Sequence, residues 1–437
     1  MWILLILCTS VHAQERWSLK QCITYALEHH LSNAIYKGNE EKARLMILEN
    51  IGLYLPQISS NVTFDNNFKQ QTVVLPENLA GLPINDREVR FGTQFVTTAS
   101  VTLEQALFDR VLLASFRAKK PSLEVASLYY QQNQENLIYN TTQAYLQVYI
   151  ADAHIKLLQQ NQEKYRKLLE IVKLQADQGL VKKTDVSKLT VALNNIQAQL
   201  RMAESSRALA MNSLKNAMGM ESDQELLLED SILFHPEPLE QLTSDFDAGS
   251  KTEALIQKKN LLLLDVQRKR ILGGYYPRLS FYAQYGAQAF AEDFSRLFHN
   301  WYDYSALGLK LQIPLFDSFQ KAAQARQAAI NLRNAVLSLQ LSEAGYRLQF
   351  DNAVLQAQKA RINLDDTRAN TELARSIFDQ ASLQYQQGIA PLSELLGAET
   401  ALKEAQSNYL LALLAYYSAI LDLQKSKGTL LSFYQNL

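Results

Sequence analysis

Hydrophobic and polar positions along this chain repeat with two different periods, and each period predicts one kind of secondary structure. In residues 137–176 the apolar positions follow a spacing of four and three residues, the average period of 3.5 that is typical of packed coiled-coil helices. A matching series follows a short interruption, in residues 186–217. Adding about 209 to the first numbers gives a second copy in residues 346–385. The pattern therefore predicts two long helical hairpins.

Strict alternation marks four other segments, at about residues 57–68, 92–105, 278–290 and 304–314. In the first of them Ile58, Val62 and Phe64 alternate with serine, asparagine and threonine. Each segment has about ten residues, the length that a tilted strand needs to cross a bilayer. Alternation alone also fits a half-buried sheet of a soluble protein. The contrast between one aliphatic and aromatic face and one polar face favours strands that meet lipid on one side.

Two similar stretches interrupt the helical series, "DQGLVKKTDV" in residues 177–186 and "YQQGIAPLSELL" in residues 385–396. Gly179 and Gly388 can end a helix in the left-handed conformation. The pairs Thr184-Asp185 and Ser393-Glu394 can cap or charge the start of the next helix. Each stretch is therefore predicted to be the tip of a helical hairpin.

The same order of elements occurs twice, which indicates an internal duplication. "YLPQISSNVTF" resembles "YYPRLSFYAQY", and "LEQALFDR" resembles "LQIPLFDS". We predict a first repeat in residues 14–220 with its hairpin at 109–218, a linker at 221–250, and a second repeat at 251–437. The second repeat holds a hairpin at 317–428 and a C-terminal tail. Four strands are too few to close a barrel, whereas three copies would supply twelve.

The start, "MWILLILCTSVHAQ", is a short apolar run that ends in a small-x-small pattern, and it predicts a secretory signal peptide in residues 1–13. A lipoprotein is the alternative, although Leu7 stands where a small residue should precede Cys8. After cleavage only Cys22 would remain, so an intrachain disulfide and a cysteine metal site are excluded. No later segment is apolar for long enough to span a bilayer as a helix. An exported chain of this kind would enter a membrane by strands.

The 437 residues carry a net charge of -1, so nothing in the charge balance favours nucleic acid as a partner. No phosphate loop, nucleophile elbow or zinc-protease motif is present in the sequence. His29 and His30 are adjacent, and adjacent residues do not share a helix face. We therefore expect no enzyme, no cofactor and no metal site.

The strand pairs after Tyr-x-Pro or Tyr-Pro, the "LFD" before a long helix and the Gly-Leu-x-x-x-Thr-Asp-Val tip together resemble the TolC-type outer-membrane efflux proteins. "WSLKQCITYALEHH" near the start is similar to the beginning of that family. The resemblance implies an α+β membrane protein: a homotrimer with a twelve-stranded β-barrel in the outer membrane of a Gram-negative bacterium, continued by a periplasmic α-helical barrel. It implies an exit duct for efflux or type I secretion. The implied partners are outer-membrane lipid, a periplasmic adaptor (membrane fusion protein) and, through it, an inner-membrane transporter of RND or ABC type.

The resemblance also implies a gate at the hairpin tips. Asp185 matches the acid of the first tip, Tyr385 the tyrosine of the second, and Glu394 an acid of the constriction. Ala390 and Gly397 depart from the family, because an arginine and a second acid are expected there. Lys182 or Lys183 is the predicted substitute for the missing cation. The competing interpretation of Asp185 and Glu394 is stabilisation of a helix start, worth roughly 0.3–1 kcal/mol.

Leu180 and Ile389, beside Gly179 and Gly388, are candidate contacts for the adaptor, or they close the turns by hydrophobic contact. A secreted, non-conducting coiled-coil scaffold is the alternative for the whole chain, and the sequence leaves the cargo open among drug, metal ion and polypeptide. Residues 69–91 and 291–302 are predicted on the cell exterior. Trp301, Tyr302 and Tyr304 are predicted in the interfacial belt.

Overall fold

The computed structural model describes residues 16–74, 88–229, 243 and 246–437. The predicted signal peptide, the middle of the 69–91 connection and part of the 221–250 linker lie outside these residues. Contacts divide the chain into two compact units. One contains Met1–Glu40, Ala126–Lys258 and Ser338–Leu437, and the other contains Glu41–Val125 and Lys259–Leu337. Each unit contains segments from both predicted repeats. The units therefore do not test the predicted repeat boundaries at residues 220 and 250, which stay a prediction.

Nine α-helices and six strands make up the described part of the chain. The helices are α1 (Leu19–His29), α2 (Leu31–Gly52), α3 (Arg110–Phe116), α4 (Lys119–Asp177), α5 (Lys183–Met218), α6 (Thr252–Gly273), α7 (Gln320–Gln386), α8 (Leu392–Lys427) and α9 (Leu430–Gln435). The strands are β1 (Gln57–Asn66), β2 (Gln71–Val74), β3 (Glu88–Phe91), β4 (Phe95–Phe108), β5 (Arg278–Ala291) and β6 (Trp301–Gln312). Long helices with one main sheet confirm the predicted α+β class.

The helical hairpins pack along the seams that the 3.5-residue period predicts. On α4 the buried seam residues include Val148, Leu158 and Val172, and on α5 they include Leu189 and Ile196. None of the predicted seam positions on α4, α5 or α7 is exposed. Because a position that recurs every 3.5 residues stays on one side of the helix, burial of this series joins α4 to α5 and α7 to α8 over many turns.

The largest core cluster joins the start of the chain to its end. Cys22, Ile23 and Ala26 of α1 are fully buried against α4, α5 and the C-terminal residues around Leu430 and Phe433. Helix α1 begins at a capping box, in which Ser18 and Gln21 bond to each other's backbone. Burial raises the pKa of the Cys22 thiol to about 12.

The main sheet has four antiparallel strands in the order β1-β4-β5-β6. The pairs β1–β4 and β5–β6 lie within the two predicted repeats, and β4–β5 joins one repeat to the other. In this register one face carries Ile58, Val101, Tyr285 and Leu307, while the other carries mostly serine, threonine, asparagine and glutamine. The two faces are those that the alternation predicts. Most of the large apolar side chains on the first face are exposed in the single chain.

The strand bounds differ from the predicted ones for local reasons. Gly92, at a φ of 112°, interrupts the chain before β4, so that strand begins at Phe95. Strand β6 begins at Trp301, which pairs with Ala289, and it ends before Pro314, which has no N–H to donate. Inside the predicted 69–91 connection, β2 and β3 form an additional short hairpin. Each of these two strands has only four residues, which is too short for an alternating pattern to be recognised in the sequence.

The register also corrects the predicted aromatic belt. Trp301 lies on the apolar face, whereas Tyr302 and Tyr304 lie on the polar face, opposite Gln288 and Gly286. A side chain at Gly286 would collide with the Tyr304 ring, since a Cβ atom there would come within 2.7 Å of it. Glycine thus makes room for an aromatic ring on the polar face.

Polar contacts of Asp109 connect the end of β4 to the helix that follows it. Asp109, between β4 and α3, accepts hydrogen bonds from the backbone N–H groups of Val111 and Leu112 at 2.8 and 3.3 Å. Its other oxygen lies 2.8 Å from the Arg278 guanidinium at the start of β5. Asp109 is thereby the N-cap of α3 and the partner of the neighbouring strand, which explains the acid of the "LFD" motif.

Candidate gate at the hairpin tips

The two hairpin tips have the same backbone geometry. Gly179 and Gly388 both have a φ of 73°. At the first tip Gly179 N–H donates to Ala176 at 3.0 Å and Leu180 N–H donates to Gln175 at 2.9 Å. The second tip repeats both bonds with the same lengths, from Gly388 to Tyr385 and from Ile389 to Gln384. This is the Schellman arrangement, in which a left-handed glycine satisfies the last carbonyls of a helix.

The predicted capping of the next helices is wrong. The cap residues are Lys182 and Pro391, and neither makes a side-chain cap bond. Thr184 and Ser393 lie inside the first turn, because each helix begins two residues earlier than the capping prediction requires. Asp185 and Glu394 are the third residues of α5 and α8, where an acid stabilises the positive end of the helix dipole.

Both tips contribute to one hydrophobic cluster, which we call the tip cluster. Its buried members are Tyr165, Leu169, Val172, Leu189, Ile196, Ala381, Leu392 and Leu395, and Val181, Val186, Phe378 and Tyr385 pack against them. These residues come from α4, α5, α7 and α8. The two hairpins of one chain are therefore held together at their ends by apolar contact.

The structure brings two of the predicted gate residues together. Tyr385 is half-buried, and its hydroxyl has no hydrogen-bond partner within the described residues. Burial raises the pKa of Tyr385, and the nearby charge of Asp185 raises it further. Asp185 itself forms an ion pair at 3.6 Å with Lys188, one turn further along α5. Asp185 and Tyr385 are therefore near enough to interact electrostatically, although no hydrogen bond joins them.

The other predicted gate residues are not part of this contact in the single chain. Glu394, Lys182 and Lys183 are all exposed. Asp185 pairs with Lys188 because the residue three positions later on a helix lies on the same side, whereas the role of Lys182 or Lys183 as a gate cation stays a prediction. This i,i+3 relation was the signal in the sequence that would have pointed to Lys188.

The residues next to the tip glycines point outward. Leu180 and Ile389 are each 71% exposed in the single chain. They do not belong to the tip cluster. The interpretation in which they close the turns through hydrophobic contact therefore receives no support from the packing.

Sequence reasoning missed a buried acid just above the tips. Glu399 on α8 is only 6% exposed and accepts a hydrogen bond from Tyr165 on α4. Burial raises the pKa of Glu399 to about 7, while Tyr165, Lys164 and Lys403 act in the opposite direction. Leu392, Leu395, Glu399 and Leu402 recur at spacings of three and four residues and are all buried. Extending the seam pattern to α8 would have found this acid.

A groove of about 790 Å³ lies further along the hairpins, between α4, α5 and α8. Its lining combines aliphatic side chains such as Leu158, Met202 and Leu411 with the polar His154 and Lys403. Among the described residues, no group of three or more His, Cys, Asp and Glu could hold a metal ion. No helix in the described ranges has an apolar stretch long enough to cross a membrane.

Comparison with known proteins shows that this fold is that of TolC-type outer-membrane channels. The outer membrane protein VceC of Vibrio cholerae superimposes with a TM-score of 0.73 at 18% identity, over 94% of this chain and 96% of that one. The sequence is 24% identical to the outer membrane protein TolC of Vibrio cholerae, covering 92% of this chain and 93% of TolC. It is 22% identical to the alkaline protease secretion protein AprF of Pseudomonas aeruginosa, covering 77% of this chain and 72% of AprF.

The chain belongs to the outer membrane efflux protein family, whose model matches residues 90–220 and 273–429. The predicted resemblance to the TolC type and the predicted location in the Gram-negative outer membrane, with a periplasmic helical domain, are confirmed. Membership supports a role in efflux or secretion across that membrane. The relatives are named as outer membrane, outer-membrane channel and secretion proteins, not as enzymes.

Proposed function

We propose that three copies of this chain form the exit duct of a tripartite efflux or type I secretion system. The duct passively conducts substrates delivered by a periplasmic adaptor and an inner-membrane transporter of RND or ABC type. The observation that carries this proposal is the four-stranded sheet with one exposed apolar face. In the described residues, its outer strands β1 and β6 each pair along one edge only. Three such sheets, joined from β6 to the next β1, would give a closed sheet of twelve strands with lipid outside and polar residues inside.

A hydrophobic stripe on α7 supports assembly into a homotrimer. Leu341, Leu348, Leu355 and Ile362 recur every seven residues and are between 61 and 77% exposed. A heptad stripe of this kind is a coiled-coil surface, and among the residues that the structure describes it is left exposed. Met202 and Leu209 on α5 are also exposed at a seven-residue spacing, so they offer a matching surface on the next copy.

We assign the closed state to the tips. The tip cluster holds the two hairpins together, and it includes Tyr385, whose hydroxyl feels the charge of Asp185. Lys188 partly neutralises Asp185, in the role that the family arginine would have at Ala390. Glu394, repeated three times around the axis, would attract cations.

The exposed Leu180 and Ile389, held by Gly179 and Gly388, are the proposed adaptor contacts. Each offers an apolar side chain on a turn whose backbone is fixed by the Schellman bonds. An apolar pocket at the end of an adaptor hairpin would bury them, with a gain of roughly 1.5–3 kcal/mol for each side chain.

Conductance of the purified protein in planar lipid bilayers tests the proposal. The double variant Asp185→Ala with Tyr385→Phe removes both partners of the tip contact, so small cation-selective currents should become markedly larger. The matched control is Asp223→Ala with Tyr129→Phe, which makes the same chemical changes at exposed positions away from the tips. It should conduct as the wild type does.

Three other outcomes have definite meanings. Equal currents from wild type and the tip variant would keep the duct but remove Asp185 and Tyr385 from the gate. Equal increases in the tip variant and the control would show that the change is not local to the tips. No current from correctly inserted trimers of either form would leave the non-conducting scaffold.

A further inference from the structure

The connection between β5 and β6 folds onto the apolar face of the sheet. Leu297, in the middle of residues 292–300, is fully buried against Ala289, Ala291 and Phe95. By the strand register these three partners lie on the same face as Tyr285 and Leu307, which is the apolar one. The short 3₁₀ helix Phe294–Arg296 precedes Leu297 and is thereby held against this face.

Aromatic side chains extend the apolar face across this connection. The Phe294 ring lies 5.8 Å from the rings of Phe64 and Phe95 and 6.2 Å from that of Phe298. The Phe298 ring lies 6.4 Å from Trp301. Phe64, Phe95 and Trp301 are residues of the apolar face, and Phe294 and Phe298 are both more than half exposed. The exposed aromatic surface is thus continuous with the strands.

The position of this surface follows from the topology. Helices α2, α3, α6 and α7 all connect to the opposite ends of the strands. Since the helical domain is periplasmic, the end at which β5 turns into β6 faces the cell exterior. Aromatic residues are enriched where a membrane protein meets the boundary between acyl chains and headgroups.

We infer that residues 292–300 form a foot that rests in the outer leaflet of the outer membrane, with Phe294 and Phe298 inserted at the boundary between headgroups and acyl chains. This inference rests on the membrane placement of the sheet in the proposed function. The occupant of the surface is lipid, because the surface continues the lipid-facing side of the strands. The foot keeps these residues at the exterior side, as predicted for residues 291–302, and places two of their aromatic side chains in lipid.

Single-cysteine spin labelling tests the foot in vesicles of phosphatidylethanolamine and phosphatidylglycerol. The native Cys22 is fully buried with a raised pKa, so it should not react and need not be removed; labelling of the wild type checks this. The test variant is Phe298→Cys. The two references are Leu307→Cys, exposed on the apolar face, and Tyr302→Cys, exposed on the polar face. Collision rates with oxygen and with a water-soluble nickel complex give the depth of each label.

The label at 298 should lie about 5–10 Å below the lipid phosphates, with high oxygen and low nickel accessibility, as expected for an interfacial aromatic anchor. A second variant, Phe294→Cys, should give a similar depth, and it replaces the first if Phe298→Cys does not fold. Nickel accessibility at both sites as high as at Tyr302 would overturn the foot while Leu307 remains in lipid. Protection from both reagents would also overturn it, because the surface would then be covered by protein. Water accessibility at Leu307 itself would remove the membrane placement of the sheet and, with it, the proposed function.

Discussion

Replacement of Glu399 by glutamine should stabilise the hairpin pair at alkaline pH and leave it unchanged at acid pH. Glu399 lies between α8 and α4, where it accepts a hydrogen bond from Tyr165. Burial, the dominant cause, raises the pKa of this carboxyl from 4.5 to about 7. The folded state therefore favours the protonated form, and glutamine keeps the shape and the hydrogen-bonding oxygen of that neutral form.

The sign and size of the effect follow from the pKa. Because the folded-state pKa is the higher one, the stability that protonated Glu399 provides is fully present below pH 4.5 and is lost as the pH rises through about 7. A change from 4.5 to about 7 corresponds to a difference of about 3 kcal/mol between the two protonation states. At pH 8 the Glu399→Gln variant should therefore be more stable than the wild type by up to about 3 kcal/mol.

Hydrogen exchange measured by mass spectrometry suits this prediction, because it reports the local opening free energy of peptides near the tips. After correction for intrinsic exchange, peptides covering Leu392 to Leu402 should show the difference at pH 8 and none near pH 4.5. Burial and the charge of Lys403 lower the pKa of His154, but this histidine is present in both proteins and cancels in the comparison.

The Tyr165→Phe variant is the matched control. Loss of the hydroxyl that bonds the carboxylate should raise the pKa of Glu399 further and make the pH dependence steeper. The combined variant should be flat. A wild-type tip that is better protected at pH 8 than the Gln variant would refute the reasoning from burial.

Three further predictions concern the turns, the stripe and the cap. Gly388→Ala should destabilise the second hairpin by about 1–2 kcal/mol in thermal unfolding, because its φ is 73°; Gly397→Ala, in open space within α8, should instead stabilise it by up to about 1 kcal/mol. Leu348→Glu with Leu355→Glu should convert the trimer to monomer in analytical ultracentrifugation, since burying each leucine contributes about 1.5–3 kcal/mol. Gln349→Glu with Gln356→Glu adds the same charges one position further round and should remain trimeric; equal dissociation of both would remove the stripe from the interface. Asp109→Ala should lower the free energy of unfolding by about 1–2 kcal/mol, because α3 loses its N-cap. Asp109→Asn still caps α3 and should lower it by less than about 1 kcal/mol. Equal losses in the two variants would assign the effect to the ion pair with Arg278.

The seams and the strand faces were predictable because each depends on a period. A residue that recurs every 3.5 positions, such as Val148 or Leu158, stays on one side of a helix whatever its neighbours do. Alternation likewise fixes which face carries Ile58 or Leu307. The positive φ of the tip glycines was predictable for a local reason, since few other residues adopt it at low cost.

The features that sequence reasoning missed depend on contacts between distant segments. Leu297 looks like an ordinary loop residue until the register places Ala289 and Phe95 beneath it. The seam spacing of α8 places Glu399 on a buried side, but the hydrogen bond that it accepts from Tyr165 joins residues more than two hundred positions apart. Thr184 and Ser393 have the right chemistry for capping, but the helix start is set by how the tips pack, which moves each of them into the first turn.

The pairing of β4 with β5 has a consequence for the history of the chain. It is the only join in the described main sheet that crosses from the first repeat to the second, and it is as extensive as the pairings inside the repeats. In a half-length ancestor with one strand pair and one hairpin, this edge would have lain between separate molecules, and twelve strands would have required six of them. Fusion of two such halves would turn half of those intermolecular joins into joins within one chain, and it would remove the entropic cost of recruiting three further subunits. It would also let the two tips diverge, so that one carries Asp185 and the other Tyr385.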